Sequence, residues 1–233
     1  MCARLFLSVT PEEVADLLDV ELADLPPLTP RYNIAPGQDI LVARTAPSGA
    51  RATALLRWGL VPRFAKDPAI GHRLINARSE TAARRAAFRD ALRFRRCVVP
   101  ATGFYEWRKI GRVSQPYAVR PASAGIGIAG LWEEWEGGGR RLQTCTLLTT
   151  EANARMAAVH DRMPVLLDRA QRDEWLDPER PLEAVNALMR PYPADGLTIE
   201  PVSTRVNRAD FDDPSCLEPI APSEMAPEQG RLF

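Results

Sequence analysis

The chain has 233 residues, which is enough for one large domain or two small ones with an apolar core in either case. Its formal net charge is zero, so bulk charge gives no indication of a nucleic-acid-binding protein. No apolar run approaches the ~18 residues of a membrane span, and the first residues lack the basic and apolar regions of a secretory signal.

Four widely separated cysteines further limit the class of protein. They are Cys2, Cys97, Cys145 and Cys216. Because there is no Cys-x-x-Cys spacing and the chain has only two histidines, a structural zinc site and a disulfide framework are both disfavoured. Cys97 and Cys145 lie in apolar runs and are predicted to be buried, reduced thiols. We therefore expect a cytoplasmic protein that needs no metal or other cofactor.

Strand-like apolar runs recur along most of the chain. In chain order, the predicted strands cover residues 3–9, 39–46, 52–60, 96–108, 116–121, 125–135, 142–150 and 197–203. Helical segments are inserted between them at irregular intervals, without a regular strand–helix alternation. This pattern predicts an α+β fold, mainly antiparallel sheet curled towards a barrel, with inserted helices.

Five segments carry helix signals. They begin at Thr10, Ser79, Glu151, Asp168 and Pro181. Residues 10–13 form a capping box with proline at the first helical position. The second helix is predicted to run to about residue 94, and the third to cover residues 151–159. Because residues 1–220 contain no repeat or linker, they are predicted to form one domain, and residues 221–233 a flexible tail.

Basic charge is concentrated in one stretch of the chain. Eight arginines lie between residues 73 and 96, against Glu80 and Asp90 as the acidic residues there. One interpretation is a compositional bias towards arginine, with a solvated helix face. The other is a surface that binds phosphates. The stretch alone does not decide between them.

The N-terminus carries the most unusual chemistry. Cysteine follows the initiator methionine, and removal of Met1 would leave Cys2 with a free α-amine and a thiol on adjacent carbons. The amine can condense with an aldehyde to an imine, and the thiol can then close a five-membered thiazolidine. An N-terminal-nucleophile hydrolase is the alternative chemistry for such a terminus.

Polar side chains lie at turns between the apolar strands. Asn76 and Arg78 end an extended run just before a predicted helix N-terminus, a position suited to anion binding. Glu106 is flanked by aromatic residues, so desolvation is expected to raise its pKa and suit it to proton transfer near neutrality; a glutamate facing water is the alternative. His160 stands at a helix-to-strand corner close to Arg162, where structural histidines are more common than catalytic ones.

An ordered set of motifs resembles the SRAP family, the SOS-response-associated peptidase-like proteins that crosslink to abasic sites in DNA. The motifs are the Met-Cys start, RYNIAPGQ (31–38), WGLVP (58–62), INARSET (75–81), VVPATGFYEW (98–107), AGLWEEW (129–135), TTEAN (149–153) and HDRMPVLL (160–167). One motif alone would be weak, but the ordered set spans most of residues 1–220 and is specific.

The resemblance implies that Cys2 captures the ring-opened aldehyde of an abasic site in single-stranded DNA, with Asn76, Glu106 and His160 around it. Glu106 would move protons of the amine or thiol, His160 would assist sugar ring opening or stabilise the imine, and Asn76 would orient the amine or sugar. Further residues are implied in DNA binding. They are Arg4, Pro36, Trp58, Phe64, Arg78 and Arg162.

The chain departs from the family pattern at two places. Ala3 stands where the family has glycine, so the terminus is expected to be displaced if that glycine needs a positive φ. Arg63 and Phe64 stand where the family commonly has serine and tryptophan. The tryptophan is expected to wedge between DNA bases, and Phe64 offers a smaller stacking face.

The last five residues suggest a protein partner. Gln229, Leu232 and Phe233 resemble the glutamine-x-x-leucine-phenylalanine peptides that bind the bacterial sliding clamp, with Gly230 in place of the usual leucine. An arbitrary chain end is the alternative. The other expected partner is single-stranded DNA with abasic sites. The expected location is the cytoplasm, and the nucleoid when DNA is bound. A monomer is expected to be sufficient for the function.

Three other function classes stay open on the sequence alone. A glutamine amidotransferase would share the Met-Cys start but would lack counterparts of the GFYEW and HDRMP segments. A peptidase, as the family name suggests, would need only to remove Met1. The resemblance also implies hydrolase or lyase activity for the family. A non-catalytic module would bind single strands without forming a covalent product.

Overall fold

A computed structural model describes residues 2–220, which fold into thirteen strands and five α-helices. The strands are β1 (Leu5–Leu7), β2 (Arg31–Ile34), β3 (Asp39–Thr45), β4 (Arg51–Trp58), β5 (Asn76–Arg78), β6 (Arg96–Ala101), β7 (Gly103–Ile110), β8 (Val113–Pro121), β9 (Ile126–Gly137), β10 (Arg140–Glu151), β11 (Arg162–Pro164), β12 (Leu166–Leu167) and β13 (Leu197–Pro201). The helices are α1 (Pro11–Leu18), α2 (Ser79–Ala82), α3 (Arg89–Phe94), α4 (Arg169–Leu176) and α5 (Leu182–Leu188). Short 3₁₀ turns cover Leu22–Asp24, Pro68–Arg73, Met156–Ala158, Ala194–Gly196, Thr204–Asn207 and Pro214–Leu217.

Five of the strands close into a barrel. The pairings run β10–β4–β3–β6–β9 and return to β10, and all of them are antiparallel except β4 with β10. Buried apolar side chains from all five strands pack in one cluster, among them Val42, Leu56, Val98, Ile128 and Leu147. Closure leaves these five strands without a free edge. The predicted α+β fold with a curled, mainly antiparallel sheet is confirmed.

A second sheet has the order β13–β8–β7–β1–β2 and is antiparallel throughout. Phe6 and Tyr105 pack against each other from adjacent strands, with ring centroids 5.0 Å apart. Gly103 is required here, because a Cβ on it would lie 2.3 Å from the carbonyl oxygen of Val119 and 2.4 Å from the Phe6 ring. This sheet positions the chain that leads to Cys2.

The predicted strand over residues 96–108 divides between the two sheets. β6 lies in the barrel and β7 in the second sheet, with Thr102 between them. The Thr102 N–H donates to the Phe6 carbonyl, and its hydroxyl accepts from the Ser8 N–H. The chain therefore changes sheets at one polar residue. The predicted loop at residues 31–38 also contains a strand, β2, which pairs with β1.

Local capping signals were accurate at three helices. In α1, Thr10 accepts from the Glu13 N–H and the Glu13 carboxylate accepts from the Thr10 N–H, as in a capping box. In α4, Asp168 and Gln171 make the same reciprocal pair. Pro181 directly precedes α5.

The single helix predicted over residues 79–94 is wrong. The chain forms α2 and α3 with turns between them, and Arg78 rather than Ser79 precedes the first helical residue. Ala82 and Ala91 are both buried, yet nine residues of continuous helix would place them about 2.5 turns apart, on opposite faces. The interruption allows both residues, and Phe88 between them, to reach the core.

The helix predicted over residues 151–159 is also wrong. Glu151 belongs to β10, and only Met156–Ala158 make a 3₁₀ turn. The Asn153 side chain accepts from the N–H groups of Arg155 and Met156, so it stabilises a turn at this point. None of the helices within residues 2–220 is long and apolar enough to cross a membrane.

Candidate active site

Cys2 lies at the start of the second sheet and is fully buried. Burial is the main cause that raises the pKa of its thiol, and the nearby Glu106 carboxylate raises it further. The thiol is therefore protonated at neutral pH. The Cys2 carbonyl oxygen accepts a hydrogen bond of 2.7 Å from the Asn76 side-chain amide.

Asn76 is positioned by the strand that carries it. β5 pairs in parallel with β10, so that Asn76 lies opposite Leu147. The preceding residue, Ile75, is held by Trp58, whose indole N–H donates to the Ile75 carbonyl at 2.8 Å. The Asn76 amide oxygen is buried and has no hydrogen-bond partner among the described residues. Asn76 can therefore hold Cys2 through its amide nitrogen and accept a further N–H or O–H through its oxygen.

Glu106 lies on β7, next to the chain that leads to Cys2. Leu5 pairs with Phe104, and the Tyr105 N–H donates to the Arg4 carbonyl at 3.0 Å, so continuing the register places Ala3 opposite Glu106. The Glu106 side chain is 2% exposed. Desolvation raises its pKa to about 7. A carboxyl group with this pKa can both accept and return a proton at neutral pH.

His160 stands just before β11 and is partly open to solvent, with a quarter of its side chain exposed. Its Nδ1 accepts from the Arg162 N–H at 3.0 Å and lies 2.9 Å from the Asp161 carboxylate, a contact that is an ion pair only when the ring is charged. Desolvation lowers the pKa of His160. The neutral ring, with its proton on Nε2, is therefore the form at neutral pH.

The four predicted catalytic residues converge from separate parts of the chain. Cys2 is hydrogen-bonded to Asn76 and interacts electrostatically with Glu106. The Asp161 carboxylate, next to His160, contributes to the raised pKa of Glu106. The segment that carries His160 therefore lies within electrostatic range of Glu106. Both β5 and β11 pair with the C-terminal part of β10. The arrangement joins a nucleophile, an amide and two groups that can transfer protons.

The comparison with known families decides the classification. A model of the family described as SOS response associated peptidase (SRAP) matches residues 1–209. The chain belongs to the SRAP family. This confirms the family resemblance drawn from the motifs.

Two named relatives illustrate the similarity to other SRAP proteins. The chain is 39% identical over 212 residues to the "abasic site processing protein YoaM" of Bacillus subtilis (strain 168), covering 89% of this chain and 93% of the relative. It is 34% identical over 225 residues to the "abasic site processing protein HMCES" of Gallus gallus, covering 82% of this chain and 66% of the relative.

Solved structures agree with the SRAP fold described above. A protein from Bacteroides thetaiotaomicron superposes with a TM-score of 0.81 at 20% identity, over 94% of this chain and 100% of that one. A phage-related protein from Bordetella bronchiseptica superposes with a TM-score of 0.72 at 28% identity, over 88% of this chain and 95% of that one.

Three of the predicted DNA-binding residues of this SRAP domain are accessible. Phe64 is 62% exposed, and Arg78 is exposed without a side-chain hydrogen bond to any other described residue. Pro36 is half-buried. The loop that carries Phe64 is fixed, because the Trp135 indole donates to the Ala65 carbonyl at 2.7 Å. Phe64 is therefore held out into solvent.

The other three predicted DNA-binding residues are occupied by the protein itself. Trp58 is 1% exposed, so its ring offers no stacking face, and its role is to support Ile75. Arg4 donates to the Asn33 side chain and the Val206 carbonyl, both at 2.6 Å. Arg162 is paired with Glu80, as described below. Trp58 and Arg162 thereby support the site, whereas Arg4 joins Asn33 to Val206.

The sequence analysis missed Glu80 as a partner within the SRAP site. Its carboxylate binds both terminal nitrogens of Arg162, at 2.5 and 3.0 Å. Hydrogen bonding to Arg162 lowers the pKa of Glu80. Glu80 stands in the INARSET motif, but the two residues are 82 positions apart, so no local signal could have revealed the pair.

Two further expectations concern metals and the chain end. Within the part of the chain that the structure describes, no group of three or more His, Cys, Asp and Glu side chains is arranged to hold a metal ion. The proposed clamp-binding residues Gln229, Leu232 and Phe233 lie outside the described residues.

Proposed function

We propose that this protein captures abasic sites in single-stranded DNA as a covalent adduct of Cys2, after Met1 has been removed. The observation that carries the proposal is the buried Cys2 thiol held beside the Asn76 amide and a Glu106 carboxyl with a pKa of about 7. The names of the relatives, abasic site processing proteins, support the same substrate.

The reaction needs no oxidant or cofactor. The α-amine of Cys2 attacks the aldehyde carbon of the opened sugar, and loss of one water gives an imine. The thiol then adds to the imine carbon and its proton passes to the nitrogen, which closes a thiazolidine. Because an α-amine has a pKa of ~8 and a thiol ~8.5, both groups are mostly protonated at pH 7 and need a proton acceptor.

Glu106 supplies this proton transfer. As a carboxylate it accepts the proton of the α-ammonium, and as an acid it protonates the departing hydroxyl. Its raised pKa keeps both forms populated near pH 7. Its carboxylate form also raises the pKa of the Cys2 thiol, so proton uptake by Glu106 and release from Cys2 are linked.

His160 acts on the closed form of the sugar. Its Nδ1 accepts from the Arg162 N–H, which leaves the proton on Nε2 in the neutral ring. That N–H donates to the ring oxygen as the ring opens to the aldehyde. Asn76 accepts an N–H from the α-amine through its buried oxygen and so aims the amine at the carbon.

Single-strand recognition rests on groups that leave the lesion accessible. Arg78 binds a phosphate beside the site, and Phe64 stacks on a base next to the gap left by the missing one. The enzyme-like step is this covalent capture; a peptidase step is needed only to remove Met1. Within this proposal the protein acts as a monomer and associates with the nucleoid through DNA.

The test is a single-stranded oligonucleotide with one abasic site, mixed with Met1-processed protein and run on a denaturing gel. Wild type is expected to give a shifted band whose intact mass equals protein plus DNA less one water, and Cys2→Ala none. Cys216→Ala, at a buried cysteine in the apolar cluster that contains Phe6 and Tyr105, is the matched control and retains the adduct. No adduct from wild type with a confirmed free Cys2 would overturn the proposal.

A glutamine amidotransferase and a simple single-strand-binding module are separated in the same experiment series. The first predicts glutaminase activity that depends on Cys2, and the second predicts binding without any covalent product. Because Met1 must be removed, the N-terminal mass of Glu106→Gln and His160→Ala distinguishes self-removal from removal by another enzyme.

The tail is proposed as a separate contact with a replication sliding clamp. The proposal rests on the sequence of residues 229–233 alone. A fluorescent peptide covering residues 221–233 is titrated with purified clamp, and binding is expected to be lost with Leu232→Ala and Phe233→Ala. Binding that is absent, or unchanged by these substitutions, would end the proposal.

A further inference from the structure

Phe94 is a large apolar side chain that the fold leaves in solvent. It ends helix α3 and is 67% exposed, which is more than any other large apolar residue that the structure describes. The Arg93 guanidinium lies 5.1 Å from the centre of its ring. An exposed aromatic ring beside a cation is a typical stacking position for a nucleobase.

A long groove opens on both sides of this ring. Two adjoining cavities, of about 620 and 640 Å³, share Arg93, Phe94, Arg96 and Pro178. We call the combined space the Phe94 groove. Its first part is walled by Trp132 and Arg141, and its second part by Arg180 and Leu182. A space of this size accommodates more than one nucleotide.

Arg96 does not take part in binding, because its donors are already used. It donates to the carbonyls of Leu92 and Arg93 at the end of α3, and to those of Trp175 and Asp177 at the end of α4. The Arg96 guanidinium thus holds the C-terminal ends of α3 and α4 together beneath the groove. The floor of the Phe94 groove is therefore rigid.

Arg44 is the cation best placed to bind an anion there. Its guanidinium lies 4.2 Å from the centre of the Trp132 ring, and one nitrogen donates to Gln143 at 3.4 Å. Another nitrogen is buried and has no acceptor among residues 2–220. Glu134, the nearest acidic group lining this part, is already paired with Arg141 at 2.7 Å. Arg44 is thus a partly desolvated cation that forms no direct ion pair with another described residue, although Glu134 lies within electrostatic range.

Arginines outnumber acidic side chains among the remaining charges of the groove, where the exposed Glu179 is the acidic one. Arg93 is exposed and has no acidic partner among the described residues, whereas Arg180 is paired with Glu174 at 2.5 Å. The groove as a whole carries more arginine than acidic side chains. This excess of positive charge fits a polyanion rather than a neutral or basic ligand.

The Phe94 groove lies at a distance from the candidate active site. On strand β10, Asn76 lies opposite Leu147 and Arg162 lies opposite Glu151, while Gln143 lines the groove. Gln143 is four residues from Leu147 and eight from Glu151, which is roughly 13 and 26 Å. The chain between the two places carries exposed arginines on its surface. They are Arg78, Arg84, Arg85, Arg89 and Arg93.

We infer that the Phe94 groove is a second binding site for single-stranded DNA, occupied by nucleotides several positions from the abasic one. One base stacks on Phe94, and the backbone phosphates next to that base contact Arg44 and Arg93. The inference rests on the proposed function for its substrate class. It adds to that function a subsite that only longer strands reach, so that affinity depends on strand length.

The test uses two lengths of oligonucleotide and a protein that cannot react. Cys2→Ala protein is titrated with abasic 6-mers and 20-mers, and fluorescence anisotropy reports the affinity. Adding Phe94→Ala or Arg44→Gln is expected to weaken 20-mer binding about tenfold and to leave 6-mer binding unchanged. Phe94→Tyr, which keeps the ring, restores the 20-mer affinity. Val113→Ala, at a 44% exposed apolar side chain outside the groove, is the matched control.

A second measurement locates the contact along the strand. A 2-aminopurine is moved one position at a time on both sides of the abasic site, and its quenching marks the stacked base. Quenching confined to positions several nucleotides from the abasic site, lost in Phe94→Ala, supports the inference. Unchanged 20-mer affinity in both variants, or equal losses for both lengths, would overturn it and leave an acidic peptide as the class to test.

The two proposals fail separately. If wild-type protein crosslinks neither the abasic 6-mer nor the abasic 20-mer, the proposed function fails while the length effect in Cys2→Ala protein still stands. If the 6-mer crosslinks at the same rate in wild type and Phe94→Ala but the length effect is absent, only the second site fails.

Discussion

The guanidinium of Arg162 binds both carboxylate oxygens of Glu80, and this pair joins the two corners that carry Asn76 and His160. The Arg162 side chain also donates to the Thr149 carbonyl at 2.7 Å and is only 12% exposed. Its own backbone N–H sets the tautomer of His160. Glu80 thereby fixes the geometry of the site and neutralises a cation that would otherwise be available to phosphate.

Glu80→Gln is expected to separate binding from chemistry. Because the ion pair is lost, Arg162 becomes available to DNA, so affinity rises at low salt and the slope of log affinity against log salt steepens by about 0.7. The crosslinking rate at saturating DNA falls about tenfold, since His160 and Asn76 are held less rigidly. Salt titrations and single-turnover gels measure the two effects.

Glu151→Gln, at an exposed carboxylate on β10, is the control for Glu80→Gln and should change neither quantity. A parallel loss of affinity and rate in Glu80→Gln would show that the residue contributes only to folding.

The rate of crosslinking is expected to depend on the ionisation of Glu106. Because the Glu106 carboxylate is the proposed base, the rate should rise with pH through about 7 in wild type. Glu106→Gln should lose this inflection and react about 10²-fold more slowly, with unchanged DNA affinity. Single-turnover gels between pH 5.5 and about 8.5 measure the profile. A Glu106→Gln variant that keeps the inflection would exclude Glu106 as its source.

The same residue is expected to reduce stability at alkaline pH. Its pKa rises from an ordinary 4.5 to about 7 on folding, so the native state favours the protonated form. The contribution of Glu106 protonation to the free energy of unfolding is fully present below pH 4.5. It is lost as the pH rises towards 7, a change of about 3 kcal/mol. Glu106→Gln should therefore raise the free energy of unfolding relative to wild type at pH 8 more than at pH 4. Denaturant unfolding at both values checks this, and an equal effect at both would contradict it.

Arg4 and Arg78 are expected to differ although both were predicted to bind DNA. Arg4→Gln removes bonds to Asn33 and Val206, so it should lower the free energy of unfolding by about 1–3 kcal/mol. Arg78→Gln removes no such bond and should instead reduce the salt slope of DNA binding by about 0.7. Thermal unfolding and salt titration of both variants test this difference. A loss of stability in Arg78→Gln with a reduced salt slope in Arg4→Gln would refute the two roles.

The sequence carried local information well. Capping at Thr10 and Asp168 was readable because both partners of each box lie within one turn. The barrel closure was not, because the parallel pair that closes it joins Trp58 to Cys145, far apart in the chain. The break between α2 and α3 was missed because burial of Ala82 and Ala91 outweighs the helical preference of the residues between them.

The candidate site shows the same division. Ordered motifs predicted Cys2, Asn76, Glu106 and His160, and the structure brings them together, while their chemical roles stay predictions. Which arginines were free to bind DNA depended on distant partners such as Glu80 and Val206, which no motif contains. Burial of Trp58 was hidden for the same reason, since an aromatic residue at a strand end fits either a core or a surface.

The burial of Cys2 has a consequence for oxidation. Peroxides and disulfides attack thiolates at accessible positions, so reactivity towards them falls when a thiol is enclosed and protonated. Cys2 meets both conditions in the structure. The protein is therefore expected to keep this sulfur reduced under oxidant levels that convert exposed, low-pKa cysteines to sulfenic acid, so that a strand arriving at Asn76 and Glu106 meets an unmodified thiol.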